Sequence, residues 1–175
     1  GNGKSRLAEI LSQAEREALS LRMASRVLFE LGRCDGISDI TILSTERPDW
    51  WSGSWVPDAG QGLNSEINGW RQTRGTDEIL IIHADLPLLQ AEDVRHLLDL
   101  AEAEGIALAT DRAGEGSNAL AIADGRPFEF RFGPGSRGLH AAQSPEMTVV
   151  QRTGLSADID ALDDLKFARE HGFTG

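Results

Sequence analysis

The sequence predicts an α/β fold in one domain spanning residues 1–175. Helical and strand periodicities alternate along the chain, which is the pattern of strands wound against helices. Residues 78–84 read Glu-Ile-Leu-Ile-Ile-His-Ala, the nearly continuous apolar run expected of a buried parallel strand. A length of 175 residues with 40% hydrophobic content suits a single core that needs no disulfide.

The elements follow in order. Leu7, Ile10 and Leu11 begin a helical stripe, and Ser12 with Glu15 forms a capping box that restarts it. Ala18, Leu21, Val27, Leu28 and Leu31 continue at helical spacing until Gly32 offers a stop. Residues 37–44 read as a short strand, and 45–60 as a loop holding Pro48, Pro57, Trp50, Trp51 and Trp55. A helix is expected over 62–74, then the apolar strand, ended by Asp85-Leu86-Pro87. A helix over 91–104 stops at Gly105, and strands over 106–110 and 119–123 flank a Gly-rich loop. Phe128, Phe130 and Phe132 alternate as a strand face that leads into Gly133-Pro134-Gly135-Ser136. A short helix, a strand over 147–152 and a helix over 161–171 complete the pattern. A βα unit opening on a Gly-rich turn has a strand before it, so a strand is expected ahead of Gly1.

Composition narrows the partners. Acidic residues outnumber basic ones 28 to 17, a formal charge of -11, which argues against nucleic acid or an anionic membrane surface. Only Lys4 and Lys166 are lysines, so the remaining basic residues are arginines. Cys34 is alone, which rules out an intrachain disulfide and a cysteine metal cage and fits a cytoplasmic setting. No apolar run approaches a membrane span.

Several residues suggest chemistry. Gly3-Lys4-Ser5 at a helix start suits a polyphosphate, with a solvated turn as the plain alternative. Asp85 follows the most apolar strand, and ligands gather at the carboxyl ends of strands in open α/β sheets. A carboxylate there suits Mg²⁺, which takes one or two carboxylates together with phosphate oxygens and water. Asp158 and Asp160 remain open as a second ligand, whereas Asp163 and Asp164 suit the first turn of the last helix. The loops 114–118 and 133–136 let backbone N–H groups approach a phosphate or carboxylate. Gly60-Gln61-Gly62-Leu63-Asn64 offers groups for a purine edge. The tryptophans read as packing or loop anchors, His83 as a satisfied core histidine, His96 as a plain surface residue and His140 as a candidate substrate contact. No Ser/His/Asp or Cys/His set forms, so covalent catalysis is not expected.

Taken together, Lys4-Ser5-Arg6-Leu7-Ala8, Gly62-Leu63-Asn64, Ala84-Asp85-Leu86-Pro87-Leu88-Leu89, Gly116-Ser117-Asn118-Ala119-Leu120, Phe132-Gly133-Pro134-Gly135-Ser136 with His140, and Asp158-Ile159-Asp160 before Asp163-Asp164-Leu165 resemble the CofC/FbiD guanylyltransferases of coenzyme F-420 biosynthesis. The resemblance implies a Rossmann-like three-layer α/β/α nucleotidyltransferase with a mostly parallel mixed sheet, of the kind found in molybdenum-cofactor guanylyltransferases. It implies GTP as donor, and 2-phospho-L-lactate, phosphoenolpyruvate or 3-phosphoglycerate as acceptor, with pyrophosphate released. On this reading Lys4, Arg6, Gly62, Leu63, Asn64 and Asp85 hold the nucleotide, and Asp85 and Asp160 bind Mg²⁺. Ser117, Asn118, Gly133, Gly135 and Ser136 hold the acceptor, and Lys4, Asp85 and Asp160 carry the catalysis. A homodimer is left open. Arg137 stands where family members often carry an aromatic residue, and the family's first strand and nucleotide-loop start fall ahead of Gly1. The other readings are a P-loop kinase or NTPase using Gly3-Lys4-Ser5 with Asp85, and a non-catalytic nucleotide-binding module.

Overall fold

The computed structural model describes residues 7, 8, 10–74 and 78–174. Its elements are α1 (Gln13–Leu31), β1 (Thr41–Ser44), β2 (Ser54–Pro57), α2 (Leu63–Arg74), β3 (Ile79–Ile82), α3 (Ala91–Glu104), β4 (Ile106–Thr110), β5 (Ser117–Ile122), α4 (Ser136–Ala141), β6 (Thr148–Val150), α5 (Thr153–Ser156) and α6 (Leu162–Glu170). The capping box at Ser12 forms as read: the Ser12 N–H donates to Glu15 Oε2 at 2.8 Å, and the Glu15 N–H donates to Ser12 Oγ at 3.3 Å.

A four-stranded sheet has the order β3-β5-β4-β6, with β5 antiparallel to both neighbours and β6 parallel to β4. The apolar run at residues 78–84 was expected to be a parallel strand, yet β3 pairs antiparallel with β5 and is only half-buried. Continuous apolarity reports burial on both faces and does not fix direction. The strands buried along their whole length are β4 and β5. Parallel and antiparallel pairings are equally represented among the described residues, so the sheet system is mixed.

Alternate residues of β4 and β5 divide the core. Ala107, Ala109, Ala119 and Ala121 pack with Val27 and Leu31 of α1 and Leu97 and Ala101 of α3. Ile106, Leu108, Leu120 and Ile122 face the other way, onto Ile67 of α2 and the rings of Phe130 and Phe132. Two buried faces hide the period of two that a half-exposed strand would show. Small residues on the first face let the two long helices lie close. Buried Glu30 of α1 accepts from the Ala91 N–H at 2.9 Å and so caps the start of α3.

The first strand is shorter than expected, and the expected loop over 45–60 contains β2, which pairs in parallel with β1. Tryptophans fix this connection: Trp51 Nε1 donates to Ser54 O at 2.8 Å and Trp55 Nε1 to Ser44 Oγ at 3.0 Å. Strands β1 and β3 both line a cavity of about 720 Å³. The expected strand ahead of Gly1 lies outside the described residues.

The alternation of Phe128, Phe130 and Phe132 is real, but the segment joins no ladder among the described residues. Side chains of α2 take the place of a neighbouring strand. Asn64 Nδ2 donates to Phe132 O at 2.9 Å, and the Phe132 N–H donates to Asn64 Oδ1 at 2.7 Å. Asn68 repeats this double bond with Phe130 at 2.9 and 2.8 Å, and Arg71 Nη2 donates to Arg126 O at 2.6 Å. The spacing works because four helical residues rise about 6 Å, close to the roughly 6.6 Å covered by two extended residues.

Replacing Asn68 with Ala leaves both polar backbone groups of buried Phe130 without partners. A loss of about 2–6 kcal/mol of stability is expected, at roughly 1–3 kcal/mol for each of the two stranded groups. Urea denaturation measures it, and a loss under about 0.5 kcal/mol would show that the amide is dispensable.

Candidate active site

Because β5 runs antiparallel to β3 and β4, its first residues lie at their carboxyl ends. The β6 strand runs parallel to β4, so the segment after it, carrying α5 and Asp158, leaves the sheet at that same side. Asp85, Ser117, Asn118 and Asp158 are thereby gathered from distant parts of the sequence.

The β3 strand ends at Ile82, and the His83 N–H donates to Asn118 O at 2.9 Å. The chain then turns through Asp85 to buried Leu86 and Leu89, which anchor the turn in the core. Asp85 Oδ1 and His83 Nε2 are both buried without a hydrogen-bond partner among the described residues. Among the described residues His83 Nε2 thus lacks the partner expected of a satisfied core histidine. It lies just beyond the strand, with its ring 5.1 Å from that of Phe132.

Asn118 holds the opposite wall. Its Nδ2 donates to Leu155 O at 3.1 Å and to Asp158 Oδ1 at 2.9 Å. Burial pushes the Asp158 carboxyl above the usual range, the Asn118 bond opposes this, and the charges of Asp85 and then Asp160 raise it further. Asp158, one of two residues left open by sequence, is thus the half-buried acid electrostatically coupled to Asp85, while Asp160 is exposed. The Asp160 N–H donates to Asp164 Oδ2 at 3.3 Å and the Ala161 N–H to the same oxygen at 2.9 Å, so Asp164 caps α6. Among the described residues no group of three or more His, Cys, Asp or Glu is placed to hold a metal.

The other predicted site residues divide into two groups. Leu63 lines the cavity with His83, Asp85 and Trp50, and Gly62 begins α2, accepting from the Glu66 N–H at 3.1 Å. The Asn64 amide, expected at a purine edge, has both ends bonded to Phe132. Its side chain positions the strip leading into the Gly133 turn. On the far side, Gly133 and Gly135 hold φ of 130° and 68°, with open space where a Cβ would stand. These left-handed conformations suit glycine and leave the turn exposed. Ser136 and Ser117 are buried and joined, their Oγ atoms 3.1 Å apart, with His140 Nδ1 2.9 Å from Ser117 Oγ. Arg137 Nη1 donates to Gly114 O at 3.0 Å, and the Arg137 N–H to Glu115 O at 3.1 Å, so it ties the two glycine loops together. Lys4 and Arg6 lie outside the described residues.

Fold and site together define an α/β nucleotidyltransferase. A crystal structure from Desulfovibrio desulfuricans G20, provisionally assigned as a nucleotide-diphospho-sugar transferase, superposes with a TM-score of 0.74 at 15% identity, covering 98% of this chain and 82% of that one. The structure of Rv0371c from Mycobacterium tuberculosis H37Rv follows at 0.53 and 16%, covering 85% and 83%. These likenesses establish the fold.

The model of the family described as guanylyl transferase CofC like matches residues 1–173, and the chain belongs to that family. A phosphoenolpyruvate guanylyltransferase from Sphaerobacter thermophilus is 34% identical, over 98% of this chain and 89% of its own length. Those of Chloroflexus aggregans and Rubrobacter xylanophilus are each 31% identical, over 93% of this chain and 89% and 85% of theirs. The protein is a guanylyltransferase, which sets aside the P-loop kinase and the non-catalytic module. Among the described residues no helix is long and apolar enough to cross a membrane.

Burial, and then the charge of Arg131, lower the His140 pKa from 6.5 to about 4. The folded protein therefore binds fewer protons than the unfolded chain between these values, so stability falls as pH drops from about 6.5 to about 4. The contribution reaches about 3.5 kcal/mol at most, at about 1.4 kcal/mol per pKa unit. Denaturant titrations across this range should show the slope in wild type and a shallower one in His140→Asn.

Proposed function

We propose that the protein transfers GMP from GTP to phosphoenolpyruvate and releases pyrophosphate. The observation that carries this reading is the buried Asp85 Oδ1 at the carboxyl end of β3, without a hydrogen-bond partner among the described residues and electrostatically coupled to Asp158. The names of the relatives support phosphoenolpyruvate over 2-phospho-L-lactate and 3-phosphoglycerate.

An oxygen of the acceptor phosphate attacks the α-phosphorus of GTP. The bond from that phosphorus to the oxygen bridging the β-phosphate breaks, and pyrophosphate departs with the electron pair. The acceptor brings its own nucleophile, so the protein's work is alignment and charge compensation. Gly62 and Leu63 contact the nucleotide, and Lys4 and Arg6 its phosphates. The N–H groups of Gly133 and Gly135 receive the acid, with Ser117 and Asn118 behind them.

The residues present fit Mg²⁺. A carboxylate oxygen without a partner among the described residues, and a neighbouring acid raised first by burial and further by the charge of Asp85, are both relieved by a cation. A small number of protein ligands suits an ion that keeps water and phosphate oxygens. Asp85 and Asp160 would hold it, and bound there it would supply Lewis acidity and a template for the phosphates.

The full chain incubated with GTP, MgCl₂ and each acid in turn should yield a guanylated product of the phosphoenolpyruvate mass. Asp85→Asn should lower turnover at least 100-fold, the scale of a lost electrostatic contact to the reacting groups, while the thermal melt stays the same or rises. Turnover within a few-fold of wild type in that variant would remove Asp85 from the reaction.

A further inference from the structure

The buried trio behind the Gly133 turn allows a count of protons. Ser117 is 3% exposed, while Ser136 and His140 are fully buried. The Arg131 N–H donates to His140 Nε2 at 2.9 Å, so that nitrogen carries no proton. The imidazole is neutral, because burial and the charge of Arg131 disfavour its cation. Its one proton is therefore on Nδ1, which donates to Ser117 Oγ at 2.9 Å. The two serines bring two hydroxyl protons, and the 3.1 Å contact between their oxygens uses one. The other has no acceptor among the described residues. With the opposite tautomer, Ser117 would donate to Nδ1 and Ser136 to Ser117, and no proton would be left over.

We propose that His140 is a positioning residue: by donating to Ser117 it obliges the Ser117–Ser136 pair to present one O–H donor to an anionic oxygen of the acceptor. The proposal deepens the reading given above and rests on it. The left-over donor sits at the start of β5 and beneath the turn that carries Gly133 and Gly135. A phosphate or carboxylate oxygen can only accept hydrogen bonds when ionised, so a site with a forced donor favours the charged acid. The same histidine pairs the Arg131 N–H of the aromatic strip. It thereby fixes the polarity of the serines and holds the segment that leads into the turn.

Two substitutions separate these roles. Asn places its amide near Nδ1 and keeps a donor toward Ser117, while Gln reaches toward Nε2 and keeps an acceptor for the Arg131 N–H. His140→Gln is expected to raise the KM for phosphoenolpyruvate at least about tenfold, leaving the KM for GTP within about twofold. His140→Asn is expected to keep the acceptor KM within about threefold and to lower the thermal melt. In a Ser117→Ala background the Gln change should add nothing further to the acceptor KM. Nitrogen-15 spectra of the wild type near pH 7 should show the Nδ1-protonated tautomer.

An unchanged acceptor KM in His140→Gln, or an Nε2-protonated ring, would overturn the proposal. So would equal KM changes in both variants that follow their loss of stability. Absence of any guanylated product from the wild type would instead overturn the reaction assigned above. Calorimetric binding of phosphoenolpyruvate to the same variants would then decide the role of His140.

Discussion

An extended segment that enters no ladder must still pair its backbone, and the site depends on how this chain pairs residues 128–132. Even-numbered residues turn their polar groups to α2, where Asn64 and Asn68 bond Phe132 and Phe130 on both sides. Odd-numbered residues turn the other way. Gln143 Oε1 accepts from the Glu129 N–H and its Nε2 donates to Glu129 O, both at 2.9 Å, while His140 takes the Arg131 N–H. The segment behaves as a central strand whose two neighbours are rows of side chains, one from α2 and one from α4 and the turn after it. Side-chain amides suit this because each carries a donor and an acceptor. Backbone left unpaired beside the core would cost about 1–3 kcal/mol per group. The aromatic faces of Phe130 and Phe132 complete the attachment by packing on the sheet.

That clasp is what brings the Gly133–Ser136 turn to the start of β5. The turn is exposed on its glycines and buried on Ser136, so it is open to a ligand while anchored from beneath. Asp111 organises the facing loop, its carboxylate accepting from the Glu115 and Gly116 N–H groups at 2.9 and 3.0 Å. Arg137 then bridges the two loops. Its position relative to Gly114 gives it a structural task, whatever the identity of the residue at this point in relatives.

Much of the layout was legible from the sequence, and the failures share a cause. The bounds of α3 and β4 were readable because Gly105 and the acidic first turn of α3 are local signals. The acidic residue Asp85 was legible from its place after an apolar strand. Strand direction, by contrast, depends on partners far along the chain, and nothing within residues 79–82 encodes whether β5 runs with or against them. The bonds of the Asn64 amide to Phe132 were not legible, because an amide that serves a distant backbone has the same local sequence as one that serves a ligand. The open Nε2 of His83 among the described residues depends on what the fold sets around the ring, which the strand's own sequence does not encode. The coupling of Asp158 to Asp85 spans seventy-odd residues and required the fold.

The charge balance explains why neutral groups predominate around the Gly133 turn. In a chain of net charge -11, with Asp85 and Asp158 close by, an added lysine or arginine would find carboxylates before it found substrate. Such pairs recur here: Arg112 bonds Asp164 at 3.2 Å and lies over the Phe167 ring, and Arg152 bonds Asp93 at 2.7 Å. Backbone N–H groups and hydroxyls carry no net charge, so nearby acids cannot draw them away over a distance. They lose little as donors to an anion when held rigidly. A histidine kept neutral serves the same end, since its single proton gives direction without a charge that Asp85 or Asp158 would capture. Recognition of an anion by an acidic protein then becomes a matter of fixed dipoles, and the rigidity of residues 128–136 is what keeps those dipoles fixed.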